Sequence, residues 1–527
     1  MSGEGIVVGQ IMIDLTFNIL KSSDLAMRVL VSAFCLLLVC GLYAQPNLKK
    51  IEKYIEEARI KYDVPGLSVG IVKDGKVFLN KGFGVKEMGT KDAVDENTLY
   101  AIASNTKAFL ASVLANLVDQ GKLSWEDRVV DHIPYFELYD PYVSREIRIK
   151  DLLCHRSGLG TFSGDMIWYK SELTPPDLIK RLKHLPQAFG FRNGYGYSNL
   201  MFITAGEVIQ VVTGKSWSEN VDEMFFQPLG MTRSTTTTNA LEEIGNFATP
   251  HKTYLNENTP IDWVNWDNMG AAGGIISSVK DMSQWMIMNL NEGIVGDDAI
   301  IDPDQQNLLW TMHNVYTVTR AGRDRLPGRN FNGYGLGWGI QDHYGRRIVS
   351  HGGGYDGMYS RVILVPEEKL GIVILTNSMS GISGGLSMWL INQFTEEDQR
   401  DWVAEYYQEQ SDFEGIKEIR EAKMAGTSPS LALADYTGAY DAALYGGIEI
   451  SEDQGKLRLT FEYSPALSAT LEHWHNDTWE IKWDEQHAWF DFGLVSFDLN
   501  DQLEVTGMKI NVPNGDIFFD ELAIVKR

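Results

Sequence analysis

The sequence predicts a mixed α/β region followed by a small all-β domain, and three patterns support this prediction. Apolar residues recur at helical spacing from Leu48 to Tyr62, and a hairpin with its turn at Lys73-Asp-Gly-Lys76 follows. Residues 347–354, 359–365 and 370–376 are apolar segments joined by short turns, which is typical of an antiparallel meander. The chain beyond residue 430 consists of short alternating stretches between turns, as in a β-barrel or β-sandwich.

The remaining elements follow from similar patterns. The segment from Ser104 to Gly121 is almost continuously apolar, so we expect a buried central helix with Gly121 as its C-cap. Shorter helices are expected at 149–159, 201–212 and 383–394. The predicted strands of the last domain are Tyr436–Tyr440, Gly447–Ile450, Lys456–Phe461, Ala469–Trp474, Thr478–Trp483, Ala488–Phe492 and Val505–Ile510.

The domain organisation follows from these elements and from changes in composition. We expect an N-terminal extension with a signal peptide at 1–44, a main domain at 45–395, a charged helical linker at 396–430 and a small β-barrel domain at 431–527. The linker helix should run from Thr395 to Lys423, where acidic residues outnumber basic ones.

Composition and charge exclude some classes of function. The 527 residues are 44% hydrophobic and 22% charged, as in globular proteins, and the formal net charge is −25. A nucleic-acid partner is not expected, because phosphate binding needs clustered Lys and Arg side chains and no basic run offsets the acidity.

The N-terminal segment predicts export. Met27 to Gln45 combines a basic residue, an apolar run of about 14 residues and small residues at its end, which is the pattern of a signal peptide. A membrane-spanning helix would need ~20 apolar residues. Cleavage after Ala44 would place the mature chain in the periplasm or outside the cell without a membrane span. Lipid attachment at Cys40 is the alternative, although Val39 fits that processing badly.

Ser104-Asn-Thr-Lys107, at the start of the central helix, is the first candidate for chemistry. Residues three apart share one face of a helix, so the Lys107 amine should lie beside the Ser104 hydroxyl. A lysine whose pKa is lowered by burial can take the proton of a serine nucleophile, and free N–H groups at the helix start can stabilise an oxyanion. The alternative is that Ser104 only caps the helix, a common role of serine.

A second Ser-x-x-Lys sequence, Ser277-Ser-Val-Lys280, is an internal control. There Ser278 is followed three residues later by Asp281, which is the pattern of a helix cap, so no chemistry is predicted. In the first sequence Lys107 stands where a capping box places Glu or Gln, which weakens the capping interpretation of Ser104. Spacing alone does not separate the two sequences.

Two glycine-containing segments are further candidates. Tyr197-Ser-Asn199 ends a glycine-rich loop that leads into a helix, a position where side chains often face a site. His351-Gly-Gly-Gly354 lies in the meander, where bare backbone would let an acyl group approach closely. Taken singly, an aromatic turn and a bulged turn explain these segments equally well or better.

Other motifs are rejected. Ser383 lies in a Gly-x-Ser-x-Gly sequence, as in α/β-hydrolases, but it follows the strand end at Thr376 by seven residues of loose loop rather than by a sharp turn. The sequence after Ser383 is rich in strands and lacks the alternation of strands and helices in which an α/β-hydrolase places the Asp and His of its triad. His473-Trp-His475 has no further His or Cys close by, so no metal site is predicted. Cys154, the cysteine left in the mature chain, lies in an apolar segment and is predicted to be a packing residue.

The order of Ser104-x-x-Lys107, Tyr197-Ser-Asn199 and His351-Gly-Gly resembles that of the penicillin-recognising serine hydrolases. Further segments resemble the class C β-lactamase-related family, which includes D-amino-acid peptidases, DD-carboxypeptidases and esterases. These segments are Val64-Pro-Gly-Leu-Ser-Val-Gly, residues 152–159, Pro228-Leu-Gly-Met-Thr232, Ala272-Gly-Gly-Ile and Tyr334-Gly-Leu-Gly-Trp338. The tail is similar to the β-barrel domain often appended to such hydrolases, most clearly from Leu471 to Trp479.

The resemblance implies an antiparallel sheet flanked by helices, a mostly helical subdomain and a cleft between them. It implies that Ser104 is the acylated nucleophile, that Lys107 accepts its proton and that Tyr197 shuttles the proton and activates water. Asn199, His351, Gly352 and Gly353 would bind substrate, and the backbone N–H groups of Ser104 and Gly354 would form the oxyanion hole. No metal or organic cofactor is required.

The third motif departs from the pattern of many relatives. His351-Gly-Gly353 stands where those relatives have Lys-Thr-Gly, and an imidazole is largely uncharged above pH ~6.5. A β-lactam carboxylate should therefore be attracted weakly. We expect an exported acyl hydrolase for a small-molecule or peptide substrate, either a D-amino-acid or DD-carboxypeptidase-type peptide or a small ester. The alternatives are a class C-type β-lactamase and a non-catalytic penicillin-binding or ligand-binding protein.

Overall fold

The architecture is seen in a computed structural model that describes residues 46–254, 257–326, 328–395, 398, 400–407 and 415–527. The predicted signal peptide at 1–44 lies outside the described residues. Residues Glu52–Arg527 form one compact unit that contains a large sheet, its helices and a barrel. Of the helices within the described part of the chain, none has the length and apolar character needed to cross a membrane.

Fourteen strands lie among the described residues of the first part of the chain, and eight of them form one antiparallel sheet. The strands are β1 Gly66–Lys73, β2 Lys76–Gly84, β3 Tyr100–Ala101, β4 His251–Tyr254, β5 Glu257–Pro260, β6 Ile276–Ser277, β7 Ile294–Val295, β8 Asp298–Ala299, β9 Asn314–Val315, β10 Asn332–Tyr334, β11 Gly339–His343, β12 Arg346–Tyr355, β13 Met358–Val365 and β14 Leu370–Thr376. The large sheet has the order β2-β1-β14-β13-β12-β11-β10-β9, and the pairs β3–β6, β4–β5 and β7–β8 form small separate sheets.

The predicted hairpin and meander are both present in this sheet. Asp74 and Gly75 turn the hairpin with φ of 52° and 73°, the left-handed backbone that suits an Asp-Gly turn. In the meander, β12 pairs with β13 and β13 with β14, so that Gly353 lies opposite Ser360 and Ser360 opposite Leu375. The strand β14 is buried along its whole length, as its apolar sequence predicts.

Helices cover the sheet and form the mostly helical subdomain. They are α1 Leu48–Lys61, α2 Thr106–Asp119, α3 Val129–His132, α4 Pro141–Glu146, α5 Ile149–Leu152, α6 Pro175–Arg181, α7 Asn199–Thr213, α8 Trp217–Val221, α9 Gln227–Leu229, α10 Leu241–Ile244, α11 Gly270–Gly273, α12 Val279–Leu290, α13 Pro303–Leu309, α14 Arg320–Arg325, α15 Ile382–Thr395, α16 Trp402–Tyr406, α17 Ile416–Glu421 and α18 Leu433–Tyr436. The central helix α2 is buried on nearly all sides, as predicted.

The linker prediction needs correction in its described part. A single charged helix was expected from Thr395 to Lys423, whereas α15 ends at Thr395 and the described residues beyond it hold two short helices, α16 and α17. The reason is packing, because the Trp402 side chain in α16 is fully buried and its backbone lies against Gly385 of α15. Because the segment is highly charged, its sequence pattern did not indicate that these positions are buried.

The last domain is a closed barrel of eight antiparallel strands. They are β15 Gly438–Ala442, β16 Gly446–Asp453, β17 Lys456–Phe461, β18 Ala469–His475, β19 Thr478–Trp483, β20 Leu494–Leu499, β21 Val505–Asn511 and β22 Ile524–Lys526. The sequence did not predict β20 and β22, and the predicted strand Ala488–Phe492 is wrong because these residues form a loop. Its alternating aromatic residues imitate a strand, but Trp489 packs on Gly354 of the first domain and Phe492 packs on Trp474 of the barrel. The predicted combination of a helix-flanked antiparallel sheet and a β-barrel is confirmed.

Candidate active site

The Ser104 segment is a short, strained turn that leads into α2. Residues Ala103–Asn105 form a single 3₁₀ turn, and Ala103 has a φ of 46°, a costly conformation for a residue with a side chain. Neither Ser104 nor Asn105 caps the helix with its side chain. The Ser104 hydroxyl is therefore available for another contact, and the capping interpretation is wrong.

Lys107 makes that contact. Its side chain is fully buried, and Nζ donates hydrogen bonds to Ser104 Oγ at 3.1 Å, to Asn199 Oδ1 at 2.7 Å and to the Ala272 carbonyl at 2.8 Å. Burial lowers the pKa of Lys107 to about 7, and the nearby Asp165 opposes this shift. A substantial fraction of the lysine is thus neutral near physiological pH and able to accept a proton from Ser104.

Asn199 connects the lysine to a buried acid that the sequence analysis missed. Asn199 begins α7, and its Nδ2 donates to Asp165 Oδ2 at 2.6 Å. Burial raises the pKa of Asp165 to about 8, so this carboxyl holds a proton near neutral pH. Its other oxygen, Oδ1, is buried without a hydrogen-bond partner among the described residues. Nothing in the sequence around Asp165 distinguishes it from a loop residue.

Tyr197 is held beside Ser104 by the glycine-rich loop. A Cβ on Gly196 would lie 1.8 Å from the Leu159 carbonyl oxygen, so only glycine permits this close approach. The Tyr197 ring stacks on His155 with centroids 4.2 Å apart and faces Lys107 Nζ at 4.8 Å. Burial raises the pKa of Tyr197 well above its usual value, and a hydrogen bond with Ser104 partly offsets this rise.

A buried ion-pair network fixes the base of the same loop. The Asp151 carboxylate is fully buried and accepts hydrogen bonds from Arg156 Nε at 2.7 Å and from Arg192 Nη2 at 2.6 Å. Arg192 begins the turn that leads to Tyr197, so the network ties this turn to α5.

His351 lies on β12 as a neutral imidazole. Its Nδ1 is 2.6 Å from the Gly352 carbonyl oxygen and therefore carries the proton, while Nε2 accepts from the Tyr334 hydroxyl at 2.6 Å. Burial, assisted by Lys107, lowers the pKa of His351 to about 3. Both ring nitrogens are thus used within the protein, and the histidine supplies no positive charge to a substrate.

The glycines after His351 differ in position. Gly352 and Gly354 line the same cavity as Ser104, whereas Gly353 is not among its lining residues. A Cβ on Gly353 would lie 2.3 Å from the Ile102 carbonyl oxygen and 3.0 Å from the Ala103 Cβ, so this glycine lets β12 pack against the Ser104 turn. Its predicted contact with substrate stays a prediction.

A cavity of about 380 Å³ brings these groups together. Of the residues predicted from sequence, it is lined by Ser104, Tyr197, Asn199, His351, Gly352 and Gly354, and Lys107 reaches it through its bond to Ser104. The cavity wall also contains residues that no sequence motif marks, namely Asp165 and, from the barrel, Trp489, Asp516 and Ile517. These barrel residues carry no local motif, and only the docking of the two domains brings them to the site.

The rejected motifs lie apart from this cavity. Ser383 is in the first turn of α15 and is not a lining residue. Cys154 is buried, which raises the pKa of its thiol to about 12. His473 Nε2 is 2.8 Å from the Asn476 carbonyl oxygen, and His475 Nδ1 accepts from the Met424 amide at 3.3 Å. Within the described ranges, His, Cys, Asp and Glu side chains do not gather in groups of three or more suited to a metal ion.

Sequence comparison assigns most of the chain to a known family. Residues 51–393 match the Beta-lactamase family, and residues 422–526 match a domain of unknown function, DUF3471. The Unguisins hydrolase ungD of Aspergillus violaceofuscus is 27% identical over 466 residues, which are 81% of each chain. Protein flp of Staphylococcus aureus is 29% identical over 343 residues, which are 62% of this chain and 63% of that protein.

Solved structures share the fold. The octameric penicillin-binding protein homologue from Pyrococcus abyssi superposes with a TM-score of 0.59 at 21% identity, covering 91% of this chain and 100% of that one. EstCE1, a hydrolase with promiscuous acyltransferase activity, gives a TM-score of 0.55 at 19% identity over 66% of this chain and 98% of its own. A D-stereospecific amidohydrolase from Streptomyces sp. gives 0.52 at 23% identity over 65% and 98%.

These matches extend over the region that holds the serine, the buried lysine and the strand with His351. The chain belongs to the Beta-lactamase family and is a serine hydrolase of that family.

Proposed function

We propose that the protein is an exported serine acyl hydrolase that works through an acyl-enzyme on Ser104, with peptides of the D-amino-acid type or small esters as substrates. The observation that carries this proposal is the 3.1 Å hydrogen bond between Ser104 Oγ and a buried Lys107 whose pKa is lowered to about 7. Export rests on the predicted signal peptide at 1–44, and no nucleic-acid or cofactor partner is needed.

In the acylation step, neutral Lys107 takes the proton of Ser104 as Oγ attacks the substrate carbonyl carbon. The resulting oxyanion lies between the backbone N–H groups of Ser104 and Gly354, and such donors contribute ~3 kcal/mol each to transition-state stabilisation. Tyr197, next to Ser104, relays the proton to the leaving amine or alcohol, whose bond to the carbonyl carbon then breaks.

In the deacylation step, the same groups act in reverse order. A water molecule passes its proton to the Tyr197 oxygen as the Tyr197 hydroxyl passes its own proton to Lys107, and the water oxygen attacks the ester carbonyl. Ser104 Oγ leaves and recovers its proton, and the carboxylic acid product is released. Asn199 keeps the Lys107 amine in place throughout, because its Oδ1 accepts from Nζ at 2.7 Å.

The chemistry around His351 disfavours β-lactams relative to peptides and esters. A fixed cation would attract the β-lactam carboxylate, but the pKa of His351 is lowered to about 3 and its nitrogens bond Gly352 and Tyr334. A D-stereospecific amidohydrolase and a hydrolase with promiscuous acyltransferase activity share this fold, which supports acyl transfer as the chemistry of this site.

A hydrolysis screen tests this proposal. Purified protein would be offered D-Ala-D-Ala peptides, D-amino-acid amides, short acyl esters and nitrocefin, with Ser104→Ala as the blank. We expect turnover of amides or esters that disappears in Ser104→Ala, and slow or absent turnover of nitrocefin. Full activity of Ser104→Ala would contradict the proposed nucleophile, and rapid nitrocefin turnover would contradict the proposed substrate class.

A further inference from the structure

The barrel places one carboxylate in the wall of the active-site cavity. Asp516 lies in the loop between β21 and β22 and lines the cavity together with Ile517 and with Trp489 of the loop before β20. The negative charge of Asp516 helps to raise the pKa values of Asp165, Tyr197 and Tyr359. Among the described residues, its carboxylate has neither a hydrogen-bond donor nor an ion-pair partner.

This loop is held rigidly by one buried asparagine. Asn514 Nδ2 donates to the carbonyl oxygens of Val512 and Ile517, each at 2.7 Å. Asn514 Oδ1 accepts from the amides of Asp516 at 3.0 Å and of Ile517 at 2.6 Å. A loop fixed in this way presents the Asp516 side chain without a further ordering cost when a ligand binds.

The barrel is also anchored to the segment of the first domain that carries Asp165, another lining residue. Glu521 Oε2 accepts from the Gly164 amide at 2.6 Å, next to Asp165. On the other side, the Trp489 ring packs on Gly354, where an added Cβ would lie 3.2 Å from its Cη2 atom. Asp516 is therefore set at a fixed position relative to Ser104.

The rest of the lining explains what this carboxylate could bind. The described lining residues include no Arg and no Lys, and His351 is neutral, so none of these residues offers a fixed positive charge to a substrate carboxylate. The Asp165 Oδ1 atom is buried in the same wall without a partner. The aromatic rings of Phe162, Trp168 and Trp489 complete the surface, and such rings favour cations.

We infer that Asp516 is the subsite for a protonated amino group of the substrate, so that the enzyme prefers amino-acid amides, amino-acid esters or short peptides with a free amino group near the scissile bond. N-acylated analogues, and peptides that must be recognised through a terminal carboxylate, are poorer substrates. This inference rests on the proposed hydrolase function and adds a contribution of the barrel to specificity. Burial raises the pKa of Asp516 to about 6, so the carboxyl is mainly ionised in an assay at pH ~7.5.

The test compares a matched pair of substrates on the full chain: alanine p-nitroanilide in both enantiomers and its N-acetyl derivative. The variants are Asp516→Asn, which removes the charge and keeps the shape, and Asp520→Asn, which removes an exposed charge nearby. For Asp516→Asn we expect kcat/KM on the free-amine substrate to fall about 10- to 100-fold, mostly through KM, the size of a lost charged hydrogen bond. The N-acetyl substrate should change less than about twofold, as should both substrates in Asp520→Asn.

Two readouts separate the inference from the proposed function. Hydrolysis of the neutral ester p-nitrophenyl acetate by the wild type and by Ser104→Ala tests the proposed function alone. Turnover that persists in Ser104→Ala would contradict that function. The inference is overturned if the wild-type enzyme hydrolyses p-nitrophenyl acetate through Ser104 but does not prefer the free amine. It is also overturned if Asp516→Asn affects the two anilides equally or not at all. Asp516→Glu keeps the charge and should retain part of the preference for the free amine.

Discussion

The two Ser-x-x-Lys sequences have the same spacing but different surroundings. Lys107 is buried and donates to Ser104 Oγ at 3.1 Å, whereas Lys280 is exposed and reaches Asn97 Oδ1 at 3.2 Å. Ser277 ends β6, and its hydroxyl lies 2.8 Å from that of Ser234. Ser278 caps α12 by accepting from the Asp281 amide at 3.2 Å, as its sequence predicts.

The difference shows that burial, not spacing, makes a lysine a base. The Lys280 side chain is exposed to water, while burial lowers the pKa of Lys107 to about 7. The helix start matters as well, because the strained turn at Ala103–Asn105 leaves the Ser104 hydroxyl free whereas α12 begins with a capping serine.

The largest expected effect comes from removing each lysine in turn. Lys107→Ala should lower kcat/KM for the best substrate about 10³-fold or more, since the proposed proton acceptor for acylation is lost. Lys280→Ala should leave kcat/KM within about twofold of wild type, because it is a surface substitution. Steady-state kinetics measure both, with thermal melting to confirm folding. Similar losses in the two variants would remove the distinction between the sequences.

A second contrast concerns neighbouring tyrosines of the glycine-rich loop. Tyr197→Phe should lower kcat about 10²-fold, because the hydroxyl beside Ser104 relays the proton. Tyr195, which is 39% exposed, packs against Tyr316 and His155, and Tyr195→Phe should change kcat less than about twofold. A Tyr197→Phe enzyme with wild-type kcat on both an ester and an amide would show that Tyr197 transfers no proton.

The smallest effect is a shift of the pH profile. Because neutral Lys107 is the reactive form, kcat/KM should rise with pH through a midpoint near 7. Ionised Asp165 raises the pKa of Lys107, but Asp165 is mostly protonated at pH ~7, so Asp165→Asn should move this midpoint to lower pH by only a small amount. A midpoint that moves to higher pH in Asp165→Asn would contradict the electrostatic link between the two groups.

The sequence predicted the fold and the centre of the site because these depend on local patterns. The hairpin at Asp74 follows from turn chemistry, and the meander follows from apolar runs. Ser104, Lys107 and Tyr197 were found through motif order, and the structure places them around one cavity.

The barrel side of the cavity could not be predicted in the same way. Ala488–Phe492 alternates like a strand, yet it is a loop whose Trp489 packs on Gly354. Asp516 lies far from Ser104 along the chain and has no motif, so its position becomes visible only once the domains dock. Asp165 was missed for a related reason, because its burial depends on Asn199 and the surrounding loops.

The most direct test of the central claim is the site and pH dependence of covalent labelling by a fluorophosphonate probe. The modified residue would be identified by peptide mass spectrometry, and the labelling rate measured between about pH 5 and pH 9. The account predicts labelling of Ser104 with a rate that rises through a midpoint near 7, as expected for a serine activated by Lys107. Labelling of Ser383 or another residue in place of Ser104, or a rate that does not change with pH, would contradict it.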